Sequence, residues 1–120
     1  MKLSENDYAI MNIIWDRGEA SAAEIAEILA EDKGWKKPTV YTLLDRLAKK
    51  GAILRAEPDY ICTAAVEKED VRTAETAGLL ERLYNGSAKL LVSGFIREKK
   101  LTPEELAELR DLIDQAEKED

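Results

Sequence analysis

Apolar residues recur at helical spacing through most of this chain, and the stops between them are sharp. Ser4 and Asp7 have capping-box spacing, so a helix is expected from about residue 5. Tyr8, Met11, Ile14 and Trp15 fall on one face of it, with Ile10 and Ile13 widening the stripe. Gly18 stands where a helix would stop. Ser21 and Glu24 repeat the capping box, and Ile25, Ile28 and Leu29 mark a second helix to about Glu31. A linker containing Gly34 and Trp35 leads to Pro38, which suits the first turn of a third helix. Val40, Leu43, Leu44 and Leu47 give that helix its buried face, and Gly51 ends it. From Ala52 to Ala65, two short apolar segments flank Glu57-Pro58-Asp59 and read as a tight β-hairpin.

Beyond residue 66 the pattern is helical only. A long stretch runs from Glu67 to Tyr84 and breaks at Asn85-Gly86. Ser87 can cap a helix carrying Leu90, Leu91, Val92, Phe95 and Ile96. Thr102, Pro103 and Glu105 open a last one, with Leu106, Leu109, Leu112 and Ile113 on one face. The expected fold is therefore mainly α with a small β-hairpin wing: a winged helix-turn-helix over residues 1–66, then C-terminal dimerisation helices over residues 67–120. A tail of about 50 residues has too little interior to bury its own apolar faces. Either two copies pair through it, or it folds back on the first domain. Self-association is the more natural solution.

Composition narrows the function classes. The 120 residues include no histidine and one cysteine, Cys62. An internal disulfide, a zinc site and a Ser-His-Asp or Cys-His nucleophile are thereby excluded. No glycine-rich phosphate loop is present. The expectation is a non-enzyme with no catalytic residues, no metal and no cofactor. No apolar run is long enough to cross a membrane, and the first residues lack the pattern of a secretory signal, so a cytoplasmic protein is expected.

Charge locates the candidate chemistry. The chain carries −7, which taken whole argues against nucleic acid. Between Lys33 and Arg55, however, lie seven basic residues and one acid, Asp45. That segment holds +6, leaving −13 for the other 97 residues. A basic island of this kind suits phosphate contact, although charge alone fits a solvated helix face equally well. At 100° per residue, the side of the third helix opposite its leucines presents Pro38, Tyr41, Thr42, Asp45 and Lys49, flanked by Thr39 and Arg46. Thr42 and Arg46 have the chemistry of base-edge contact; Lys36, Lys37, Lys49 and Lys50 have that of phosphate contact. Tyr41 either touches DNA or packs on the wing. Trp15 and Trp35 are expected to pack rather than to stack on bases.

Several segments together resemble the penicillinase-repressor family of bacterial regulators. Thr39-Val40-Tyr41-Thr42-Leu43-Leu44-Asp45-Arg46-Leu47, followed by Lys49-Lys50-Gly51, is similar to the family's reading helix and is the most specific element. Ile10-Met11 and Ile14-Trp15 resemble its first helix, Ala23-Glu24-Ile25 its second, and Leu83 to Ser87 with Leu101-Thr102 and Glu105-Leu106 its C-terminal helices. The resemblance implies a winged-helix repressor that binds inverted-repeat operators, typically with TACA/TGTA half-sites, as a homodimer. The dimer would form through Leu80, Leu83, Leu91, Phe95, Leu106, Leu109, Leu112 and Ile113. It also implies derepression by a membrane metalloprotease-sensor system, with cleavage in the tail. The matching bond here is Gly94-Phe95, where the family's usual residue before phenylalanine is asparagine. The tail lacks the cysteine cluster of copper-responsive members, and the wing carries Glu57 and Asp59 where relatives carry basic residues. The competing reading is a winged-helix adaptor that binds protein and not DNA.

Overall fold

The computed structural model describes residues 1–119. Its elements are α1 (Glu5–Arg17), β1 (Glu19–Ser21), α2 (Ala22–Lys33), α3 (Lys37–Lys50), β2 (Ile53–Ala56), β3 (Ile61–Ala64), α4 (Lys68–Leu83), α5 (Ala88–Arg97) and α6 (Pro103–Lys118). The chain parts into two compact units, Met1–Arg72 and Thr73–Asp120, and the boundary falls inside α4.

Local chemistry explains the helix ends. Ser4 accepts the Asp7 amide while Asp7 accepts the Ser4 amide, so both arms of the capping box close. Ser21 and Glu24 do the same for α2, and Thr102 and Glu105 for α6. α2 runs two residues beyond the expected Glu31, because Gly34 takes a left-handed φ of 69° and returns its N–H to the carbonyls of Leu29 and Ala30. At Gly51, φ is 83° and the N–H closes on Leu47 and Ala48.

The expected hairpin exists, but it belongs to a three-stranded antiparallel sheet of order β1-β3-β2. The extra strand, β1, pairs Glu19 with Thr63, Ala20 with Cys62 and Ser21 with Ile61. Three residues show no alternation in sequence, and Ser21 doubles as the α2 cap, which hid the strand. The inward pair Ala20 and Cys62 is buried.

The first unit closes around one core. Ile10, Met11 and Ile14 of α1 meet Ile25 and Leu29 of α2, Val40, Leu44 and Leu47 of α3, and Ile53 and Cys62 of the sheet. Each large side chain so buried contributes about 1.5–3 kcal/mol. Trp15 packs at the edge of this core and donates its indole N–H to the Val66 carbonyl at 2.9 Å, fixing the exit of β3 toward α4. Trp35 also packs against the core. In α4, α5 and α6 no described residue is fully buried. No helix among the described residues is long and apolar enough to cross a membrane.

Candidate nucleic-acid interface

Two helices and a short turn build the candidate site. α2 ends at Lys33, residues 34–36 turn the chain, and α3 starts at Lys37 with Pro38 in its first turn. The Trp35 amide bonds the Leu29 carbonyl at 3.3 Å, and the Thr39 and Val40 amides bond the Lys36 carbonyl. The turn is thus fixed by backbone bonds and by the Trp35 side chain packed on the core, and it sets the angle at which α3 leaves α2. Val40, Leu43, Leu44 and Leu47 lock α3 inward. The remaining positions are turned outward by the helical period.

On that outer side Lys36, Lys37, Thr39, Thr42, Asp45, Arg46 and Lys49 are exposed. Among the described residues, no carboxylate lies within ion-pair distance of Lys36, Lys37, Arg46 or Lys49. The Thr42 hydroxyl donates to the Pro38 carbonyl at 3.0 Å. Its proton is therefore engaged, and what it offers outward is a methyl group and an acceptor oxygen.

Lys50 and Tyr41, also in the expected set, have partners elsewhere in the fold. Lys50 is exposed in part, but its ammonium lies 2.8 Å from the Asp7 carboxylate and 3.1 Å from the Lys2 carbonyl. Asp7 is only 2% exposed, so this lysine answers a buried charge. Burial pushes the Asp7 carboxyl upward, yet the bonds from Lys50 and from the Ser4 amide outweigh it and hold the group below its ordinary value. Tyr41 is half-buried, its ring set edge-on to Tyr60 with centroids 5.8 Å apart, and the Lys37 ammonium lies 5.6 Å from its centre.

The wing contributes a cluster that the sequence did not reveal. Asp45 of α3 accepts the Tyr60 hydroxyl at 2.8 Å and faces Arg55 at 3.4 Å. Arg55 also donates to Glu57 at 2.6 Å and lies 4.2 Å from the Tyr60 ring centre. Burial, then the bond to Asp45, pushes the Tyr60 hydroxyl up to about 12, so it stays a donor at neutral pH. Cys62 of β3 is buried, and burial pushes its thiol up to about 11. Pairings between the wing and α3 depend on turn geometry, and no periodicity carries that information.

In the second unit the apolar positions of the tail stand open to different degrees. Leu83, Phe95, Leu112 and Ile113 are exposed, whereas Leu80, Leu91, Leu106 and Leu109 are half-buried. Gly94 is half-buried inside α5.

Comparison with known proteins gives this geometry a family. The penicillinase repressor family model matches residues 3–115. The methicillin resistance regulatory protein MecI of Staphylococcus aureus (strain N315) is 32% identical over 114 residues, covering 93% of this chain and 93% of that protein. The penicillinase repressor of Bacillus licheniformis is 26% identical over 116 residues, covering 95% and 91%. Among solved structures, the Bacillus licheniformis BlaI monomeric form in complex with the blaP half-operator matches 58% of this chain and 88% of its own, at 25% identity and a TM-score of 0.53. With the model match running almost end to end, and a relative at 32% identity over most of both chains, the chain belongs to the penicillinase repressor family.

Proposed function

We propose that this chain is a transcriptional repressor that reads double-stranded operator DNA with α3 and binds it as a homodimer. The observation that carries the reading is the outward face of α3 and its N-cap, where Lys36, Lys37, Arg46 and Lys49 have no ion-pair partner among the described residues and surround Thr39 and Thr42. A helix held by its leucines after a three-residue turn presents that face to a major groove. The family is one of repressors and not of enzymes, and the solved relative with this first domain was captured on a half-operator. In this reading Lys36, Lys37 and Lys49 hold phosphates, and Arg46, Thr39 and Thr42 touch base edges, with Tyr41 beside them. Lys50 serves the fold first, since its ammonium is engaged by Asp7.

Exposed apolar side chains on α4, α5 and α6 support the homodimer, because Leu83, Phe95, Leu112 and Ile113 would leave water only against another surface. Two copies would place their reading helices about 34 Å apart, on successive major grooves. Derepression by cleavage at Gly94-Phe95, under a membrane metalloprotease-sensor system, is part of the same proposal. A glycine inside α5 weakens that helix by about 1 kcal/mol relative to alanine, which favours local opening.

The test is fluorescence anisotropy with a labelled duplex holding an inverted TACA/TGTA repeat and a scrambled duplex of equal length. The proposal expects tighter binding to the repeat, by at least tenfold. Equal, weak binding to both would contradict sequence-specific reading of these half-sites, and a chain inert to both would favour the adaptor.

A further inference from the structure

We propose that the wing's one cation, Arg55, is withheld from phosphate by a latch with Asp45 and Glu57, which makes Asp45 a positioning residue of the DNA interface. This rests on the reading of α3 as the DNA-contacting helix.

Arg55 is the only basic residue between Ala52 and Val66. In a winged helix such a residue is the natural candidate for a phosphate contact beside the reading helix. Here its guanidinium is held on three sides: Nε on Glu57 at 2.6 Å, Nη1 toward Asp45 at 3.4 Å, and its face against the Tyr60 ring at 4.2 Å. An isolated surface ion pair contributes little, about 0–1 kcal/mol. Three contacts on one planar group are more restrictive, because the fork must leave all of them to turn outward.

Asp45 is itself fixed. The carboxylate oxygen that faces Arg55 also accepts the Tyr60 hydroxyl at 2.8 Å. Tyr60 in turn meets Tyr41 edge-on, with the rings at 87°. The tip of the wing is thus pinned to α3 through one carboxylate and two rings. Electrostatics points the same way. Arg55 against Asp45 and Glu57 leaves a local charge of −1, and Asp59 adds to it. Turning Arg55 to a phosphate would leave two carboxylates unneutralised beside the DNA backbone, where like charges repel. The wing therefore acts as a brace for α3 and not as a second phosphate arm.

The salt dependence of operator binding tests this, since each phosphate neutralised adds about 0.9 to the log–log slope. In the otherwise unchanged chain, Arg55→Gln should lower the slope by well under ~0.9, because it adds the repulsion of two unneutralised carboxylates and removes no phosphate contact. In the Asp45→Asn/Glu57→Gln background the slope should steepen by about 0.9 as Arg55 is freed, and adding Arg55→Gln should remove that gain. A slope that falls by about 0.9 on Arg55→Gln alone would overturn the latch, because Arg55 would already be on phosphate. A gain that survives Arg55→Gln would also overturn it, since it would come only from lost repulsion. Should the double variant fail to fold, Arg55→Gln alone still decides, because it changes an exposed side chain. Failure of the unchanged chain to bind any operator would be a different result, against the repressor reading itself.

Discussion

The Lys50 ammonium lies 2.8 Å from the Asp7 carboxylate, tying the last turn of α3 to the first turn of α1. Asp7 is buried and also closes the α1 capping box, so one oxygen joins helix initiation to the seating of α3. Lys50→Ala should therefore cost about 1–3 kcal/mol of stability by leaving a buried acceptor short of its partner. Lys49→Ala, one residue away and exposed, should change stability by less than about 0.5 kcal/mol. Urea unfolding of both variants checks the contrast.

The same pair gives stability an acid limb. The folded Asp7 carboxyl lies below its ordinary value of 3.8, so its contribution is complete above that pH and is lost as pH falls through the folded value. Asp7→Asn should be less stable than the parent at pH 7, and the two should converge in acid below about pH 4. Parallel curves from pH 7 to pH 2 would remove Asp7 as the cause.

Base preference should separate from general affinity along α3. Thr42→Ala and Arg46→Gln should each relax discrimination at one operator position by about 1–3 kcal/mol, if they touch base edges. Thr42→Val tests the finer point, because it keeps the outward methyl and loses only a hydroxyl whose proton is held by Pro38. It should retain a preference for thymine. A scan of single-base operator variants by competition anisotropy reads all three.

Apolar periodicity and capping spacing made most of the helices legible, since Ser4-Asp7, Ser21-Glu24 and Thr102-Glu105 state their own starts. The outward position of Thr42, Arg46 and Lys49 followed from the same period, and the basic island from the distribution of charge along the chain. β1 was hidden because three residues have no alternation and Ser21 serves two elements. The Asp7–Lys50 pair is 43 residues apart in sequence, and the Asp45–Tyr60 bond spans a turn whose geometry no residue pattern announces. Tyr41 could be read two ways from sequence; its edge contact with Tyr60 places it partly on the wing.

The tail should decide oligomeric state. Leu112→Asp combined with Ile113→Asp places charge on two exposed apolar positions of α6. Sedimentation at micromolar concentration should show a dimer for the parent and a shift toward monomer for the variant. An unchanged dimer would place the interface elsewhere, and a parent that is monomeric would contradict the homodimer.

The most direct test of α3 as the reading surface is the salt dependence of operator binding for the parent and for a Lys36→Gln/Lys37→Gln/Lys49→Gln variant. Three lost phosphate contacts should lower the log–log slope by about 2.7 and weaken binding to specific and scrambled DNA alike. A variant with the parent's slope and affinity would show that DNA, if bound, is held by another face of the protein.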